Sequence, residues 1–104
     1  MSNHFVIGIG KIRLVAKNFR LKNGARPSFV IGGNYCVCYG IKLLNGDGEI
    51  GIGVQNIEFS VVTNAMEKFS MESPFKLMSG PDVIAIGRLK KFLTFLIKDG
   101  LVLN

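Results

Sequence analysis

Between Phe5 and Val54, apolar and polar residues alternate with a period of two, and glycine-bearing turns interrupt the alternation at intervals. A period of two sends successive side chains to opposite faces, which commits a chain to extended strands with one buried side. The 13 glycines and 3 prolines fit strands joined by tight turns better than a helical bundle.

From Phe5 to Lys17 the apolar set changes parity, with Phe5, Ile7 and Ile9 giving way to Ile12, Leu14 and Ala16 after Gly10. A bulge at Gly8 to Gly10 accounts for this and points Lys11 and Arg13 outward, two strands with a tight turn being the alternative. Asn18 to Pro27 reads as an exposed hairpin tip or loop with Asn23-Gly24 as its turn, so that Lys17 to Arg26 project as a flexible basic tip. Ser28 to Ile31 is a short strand, and Gly32-Gly33-Asn34 a reversal. A second long strand follows, with Tyr35, Val37, Tyr39 and Ile41 set against Cys36, Cys38, Gly40 and Lys42. After the Asn45-Gly46-Asp47-Gly48 turn, Ile50, Ile52 and Val54 share one face and Gly51 and Gly53 the other. The result is an antiparallel meander of about four strands.

Beyond Val54 the period changes. Phe59, Val62, Met66 and Phe69 form a helical stripe that predicts a helix from Asn56 to Ser70, capped by Asn56, with Glu58 near the positive end of its dipole. The β-rich run Glu58 to Val62 can also be read as strand, and Met71 to Gly80, with Pro74, reads as a loop. Pro81, Asp82 and the stripe Leu89, Phe92, Leu93 and Leu96 predict a second helix closed by Lys98 and Asp99-Gly100, with Arg88, Lys91 and Lys98 on its polar side and Lys90 at the margin. Gly87 inside it costs about 1 kcal/mol relative to alanine. The expected fold is thus α+β: an antiparallel meander sheet of four to five strands followed by one or two C-terminal helices. With 104 residues the chain is expected to form one domain, a basic β-meander over 1–54 and a helical part over 55–104.

Charge divides the chain differently. The first acid is Asp47, preceded by Lys11, Arg13, Lys17, Arg20, Lys22, Arg26 and Lys42, so residues 1–46 carry +7, while the rest sets six cations against seven acids. The net charge of +6 therefore comes from one half of the sequence, and a one-sided field of this kind favours an anionic partner.

Other chemistry is thinly represented. Cys36 and Cys38, two apart on a strand, share one face and cannot easily close a mutual disulfide, so they read as reduced, buried residues. The one histidine, His4, lies near a terminus, and no metal site or cofactor is expected. The seven acids are scattered, with Asp47 and Glu49 flanking a turn and Glu58, Glu67 and Glu72 on helix surfaces or ends, so no catalytic constellation or small-molecule substrate is expected. Gly8-Ile9-Gly10-Lys11 lacks the glycine spacing and the Ser or Thr of a phosphate-binding loop, and Gly51-Ile52-Gly53 lies within an alternating strand. The run Phe5 to Ile9 is too short and too quickly followed by charge for a cleavable signal. No apolar stretch approaches the roughly 20 residues that span a bilayer, which leaves a cytoplasmic protein as the expectation.

Basic and aromatic residues do interleave. Lys17, Phe19, Arg20, Lys22 and Arg26 cluster within ten residues, with Phe29, Tyr35 and Tyr39 on the strands that follow. Single-stranded nucleic acid calls for that pairing, since cations track phosphates while aromatic faces stack bases. The plainer reading is a solvated basic face with Phe29, Tyr35 and Tyr39 in the core. Tyr35-Cys36-Val37-Cys38-Tyr39, the turn at Gly46 to Gly48, Gly51-Ile52-Gly53-Val54 and Phe59 beyond them resemble the PC4-like single-stranded DNA-binding proteins over about half the chain. Cys38 stands where that family tends to have arginine, and Ile52 where a basic residue commonly precedes the glycine. The resemblance implies a curved four-stranded sheet with a helix, a homodimer, and a strand held on the concave face.

The leading expectation is a small non-enzymatic nucleic-acid-binding protein for single-stranded DNA or RNA, using Lys11, Arg13, Lys17, Phe19, Arg20, Lys22 and Arg26. The alternative is a protein-binding module, an inhibitor or adaptor, that docks on an acidic partner with Phe19 and Leu21 as anchors. A membrane-surface role for the C-terminal helix, through Phe92, Phe95 and Leu96, ranks last.

Overall fold

The computed structural model describes residues 3–16, 19–44, 49–50, 53–98 and 101–103. The strands are β1 (Asn3–Leu14), β2 (Leu21–Lys22), β3 (Ser28–Ile31), β4 (Asn34–Leu43), β5 (Glu49–Ile50), β6 (Val54–Thr63), β7 (Pro74–Ser79), β8 (Asp82–Lys98) and β9 (Leu101–Leu103), with one 3-10 turn at Met66–Lys68. The main sheet runs β1-β6-β4-β3-β7-β8-β9, and β1 pairs back onto β8, so six antiparallel strands close into a barrel. Consecutive β3, β4 and β6 form a meander, and β1 returns beside β6 in Greek-key fashion. β2 and β5 make a separate small ladder.

A six-stranded barrel leaves room inside only for side chains, and aromatic rings fill it here. Phe29 lies 4.7 Å from both Phe59 and Phe75, centroid to centroid, and Phe69 stacks on Phe29 from the 3-10 side at 6.1 Å. Glycine makes room for these rings. A Cβ on Gly8 would sit 2.5 Å from the tip of Phe59, and one on Gly87 would meet Phe75 at 2.6 Å, Ile12 at 2.7 Å and the Lys11 carbonyl at 2.9 Å. Gly87 thus serves close packing on a strand.

The expected α+β architecture is overturned. Asn56 to Ser70 is strand β6 followed by the 3-10 turn, as the alternative reading of Glu58 to Val62 allowed. Residues 82–98 form one continuous strand, so neither expected C-terminal helix exists, and the division into a β half and a helical half disappears with them. The cause in β8 is a counterfeit period. Its pairing with β1 runs Gly10 to Leu89 and then Ile9 to Lys91, so Lys90 is an extra residue in the ladder. The inward positions Leu89 and Phe92 are consequently three apart, a helical step produced by a bulged strand. In β6, Phe59 is buried in the barrel while Val62 lies on the outer side, so the expected stripe belongs to two faces.

The bulge expected at Gly8 to Gly10 is at the right level but on the neighbouring strand. Against β6, β1 keeps a continuous register; Val6, Gly8, Gly10, Ile12 and Leu14 face inward, and Phe5, Ile7 and Ile9 face outward, half-buried. The β3–β4 hairpin is as expected, with both loop glycines, Gly32 (φ 55°) and Gly33 (φ 81°), left-handed as a two-residue primed turn requires. The Asn45 to Gly48 turn, Gly51-Ile52 and Asp99-Gly100 lie outside the described residues. Cys36 and Cys38 are free and buried side by side on the inner face of β4, where burial pushes both thiols up.

Candidate nucleic-acid interface

Register carries outward-facing side chains into two rows across the barrel wall. Lys11 stands between Asn56 of β6 and Arg88 of β8, and Arg88 is in turn opposite Pro74 of β7. One step along, Val54, Arg13, Ile86, Lys76, Val30 and Tyr35 stand opposite one another in succession across six strands. These rows border a cleft of about 630 Å³ whose lining includes Lys11, Arg13, Lys76, Arg88 and Lys90 interleaved with Val30, Val54 and Ile86, with the buried Ile12 and Phe75 beneath them. None of the described residues lining it is acidic. Tyr35, 68% exposed, ends the second row beside Val30.

One carboxylate approaches the cleft from the turn before β7. Both oxygens of Glu72 accept from Lys90 Nζ, at 2.6 and 2.7 Å, and the Glu72 carbonyl accepts from Arg88 Nη1 at 3.2 Å. The Lys90 hydrogen bond holds the Glu72 carboxyl below the usual carboxylate range, and the charges of Lys90, Arg88 and Lys11 act in the same direction. The β8 bulge is what offsets Lys90 from the alternation and brings it to this acid.

The expected site residues separate into two groups. Lys11 and Arg13 are exposed on the outer face, as alternation indicated, and line the cleft. Lys17 lies outside the described residues. Phe19 is partly buried against the core, and Leu21 is buried at 1% exposure, so neither is a projecting anchor. Arg20, Lys22 and Arg26 are exposed but do not line the cleft. The expected flexible tip is tied down instead: Asn23 Oδ1 accepts from Leu43 N at 2.6 Å, and Gly24 N–H donates to the Ile41 carbonyl at 2.8 Å. Phe29 is core, whereas Tyr35 and Tyr39 are exposed.

Sequence reasoning missed Lys76, Arg88 and Lys90 because it placed them in a loop and on a helix. A strand reading of 74–90 would have set Lys76 and Arg88 outward by alternation. The spatial charge patch is therefore not the sequence's basic half, since two of its cations come from β1 and three from β7 and β8. Among the described residues there is no group of three or more metal-ligating side chains, and no helix is long and apolar enough to cross a membrane. No protein-family model matches the chain, and comparison with curated proteins finds no match.

Proposed function

We propose that this chain is a small non-enzymatic protein that binds single-stranded DNA or RNA along the cleft lined by Lys11, Arg13, Lys76, Arg88 and Lys90. The observation that carries this reading is the convergence of five cations from three strands on one cleft with no acid among the described residues that line it. Such a field attracts a phosphate backbone. The exposed Val54 and Ile86 between the cations, and Tyr35 exposed on the strand beyond Val30, favour unpaired bases, whose faces stack on aromatic rings at about 1 to 3 kcal/mol each. Duplex would use the cations and leave those side chains unused.

Fluorescence anisotropy with labelled single-stranded and duplex oligonucleotides over a salt series tests the proposal. Contacts from Lys11, Arg13, Lys76 and Arg88 give a slope of log affinity against log salt of about −3 for a single strand. Lys11→Glu weakens binding across all sequences, and Arg26→Glu, outside the cleft, does so much less. Equal or tighter binding of duplex removes the single-strand reading. Absence of binding at low salt removes nucleic acid altogether and leaves an acidic protein surface as the cleft's occupant.

A further inference from the structure

We infer that Lys90, Arg88 and Lys11 form a subsite for a single phosphate group, and that the Glu72 carboxylate holds the phosphate's place in the free protein. The inference rests on the reading of the cleft as an anion site. Glu72 already makes an anion's contacts there: its two oxygens share Lys90 Nζ, Arg88 Nη1 reaches its carbonyl at 3.2 Å, and Lys11 stands opposite Arg88 on the neighbouring strand. Its backbone is in the left-handed region, with φ 67°, which is costly for a residue with a Cβ.

The turn that delivers it is closed on itself. Ser73 N–H donates to the Ser70 carbonyl at 3.1 Å, Ser70 N–H donates to Ser73 Oγ at 3.0 Å, and the two hydroxyls are 2.7 Å apart. Glu72 N–H then donates to the Leu89 carbonyl, and Leu89 N–H to the Ser73 carbonyl, which fixes the turn to β8 beside the bulge. A carboxylate is therefore presented to the cations by backbone contacts that do not involve its side chain.

Lys90 and Arg88 are underused by this arrangement. Arg88 spends an N–H on a neutral carbonyl, although its planar fork suits two oxygens of one phosphate. The Glu72–Lys90 pair is exposed, with 56% and 39% of the side chains accessible, so it yields readily to a stronger anion. A phosphate brings more charge and a third oxygen, enough to engage Lys90 and Arg88 together with Lys11 across the strand. On binding, Glu72 swings into solvent while its backbone stays anchored.

Two probes separate the subsite from the polymer reading: inorganic pyrophosphate, followed by the Arg88 side-chain N–H and the Leu89 amide in nitrogen-15 spectra, and a labelled deoxythymidine oligomer, followed by anisotropy. Glu72→Gln is expected to tighten both by about fivefold, the order of one exposed ion pair. Glu67→Gln makes the same charge change on the 3-10 turn, outside the cleft lining, and is expected to tighten them by less than about twofold. Lys90→Met weakens pyrophosphate binding in either background. Glu72→Gly, which also relieves the left-handed backbone, serves as a second variant should the glutamine fold poorly. Tightening of pyrophosphate without oligomer binding leaves the subsite standing and removes the polymer. Oligomer binding with Glu72→Gln and Glu67→Gln indistinguishable overturns the subsite and leaves the polymer, and failure of every variant to bind pyrophosphate also overturns it.

Discussion

β1 and β8 run side by side from Asn3 and Ile97 to Leu14 and Ala85, yet their outer face changes character at the Lys90 bulge. On one side of it Lys11 faces Arg88, with Arg13 and Lys76 nearby. On the other, Phe5 faces Phe95 and Ile7 faces Leu93, while Val62 and Tyr39 extend the apolar surface beyond Phe5. Apolar cross-strand pairs stabilise a ladder, whereas like charges directly opposite each other destabilise it. One ribbon thus has a cohesive end and a strained end, and an anion laid between the cations would relieve the strain.

Both ends stand over one aromatic core, and the largest expected effect tests that. Phe75→Ala should cost about 3 to 5 kcal/mol in urea denaturation, because it empties the space beneath the cleft next to Phe29 and Phe59. A loss below about 1 kcal/mol would mean that the cleft wall folds independently of the core. At the apolar end, Phe95→Ala should cost about 1 kcal/mol through its lost ring partner, with Leu93→Ser, at 66% exposure, within about 0.5 kcal/mol of neutral. At the basic end the sign should reverse. In the Glu72→Gln background, where no neighbouring carboxylate repels it, Lys11→Glu should stabilise by about 0.2 to 1 kcal/mol while weakening anion binding, by making an ion pair with Arg88 across the strands. Destabilisation there would break the contrast between the two ends.

The smallest effect is in pH. Glu72 titrates below its ordinary range, so its contribution to stability is present above the unfolded carboxylate pKa and disappears as pH falls through the depressed folded value. Cys36 and Cys38 behave oppositely. Their folded pKa values are raised, so that contribution is complete below the unfolded thiol pKa and is lost as pH rises through the folded values. Thermal midpoints against pH should droop at both extremes, with the acid arm flattened in Glu72→Gln and the alkaline arm in Cys36→Ala.

How far the sequence could be read depended on whether alternation was interrupted. Where it was clean, as in Ser28 to Ile31 and from Tyr35 to Cys38, strands and the Gly32-Gly33 hairpin were legible, and so was the outward aim of Lys11 and Arg13. Beyond Cys38 the expected faces fail, because Tyr39 is an extra residue in the β4 ladder and moves Ile41 from the side of Tyr35 and Val37 to the buried side of Cys36 and Cys38. Where an extra residue entered the ladder, a strand took on helical spacing: Leu89 and Phe92 flank such a residue, and no local propensity in Arg88 to Lys98 signals the bulge. Gly87 was an available clue, since a glycine costly to a helix is what a wall pressed against Phe75 requires. The site suffered most from the same error, because cations separated by 63 to 79 positions come together only through pairing that closes the barrel.

Closure by β1 and β8 also sets the order in which the molecule can be made. Lys11 emerges from a ribosome 77 residues ahead of its neighbour Arg88. Until then β1 has an open hydrogen-bonding edge, and its outward Phe5, Ile7 and Ile9 lack the cover of β8. Pairing between distant segments is slow to nucleate, and exposed edges in waiting invite association with other chains. The strand that gives the cleft its first two cations is therefore also the one that nascent-chain chaperones have most reason to shield.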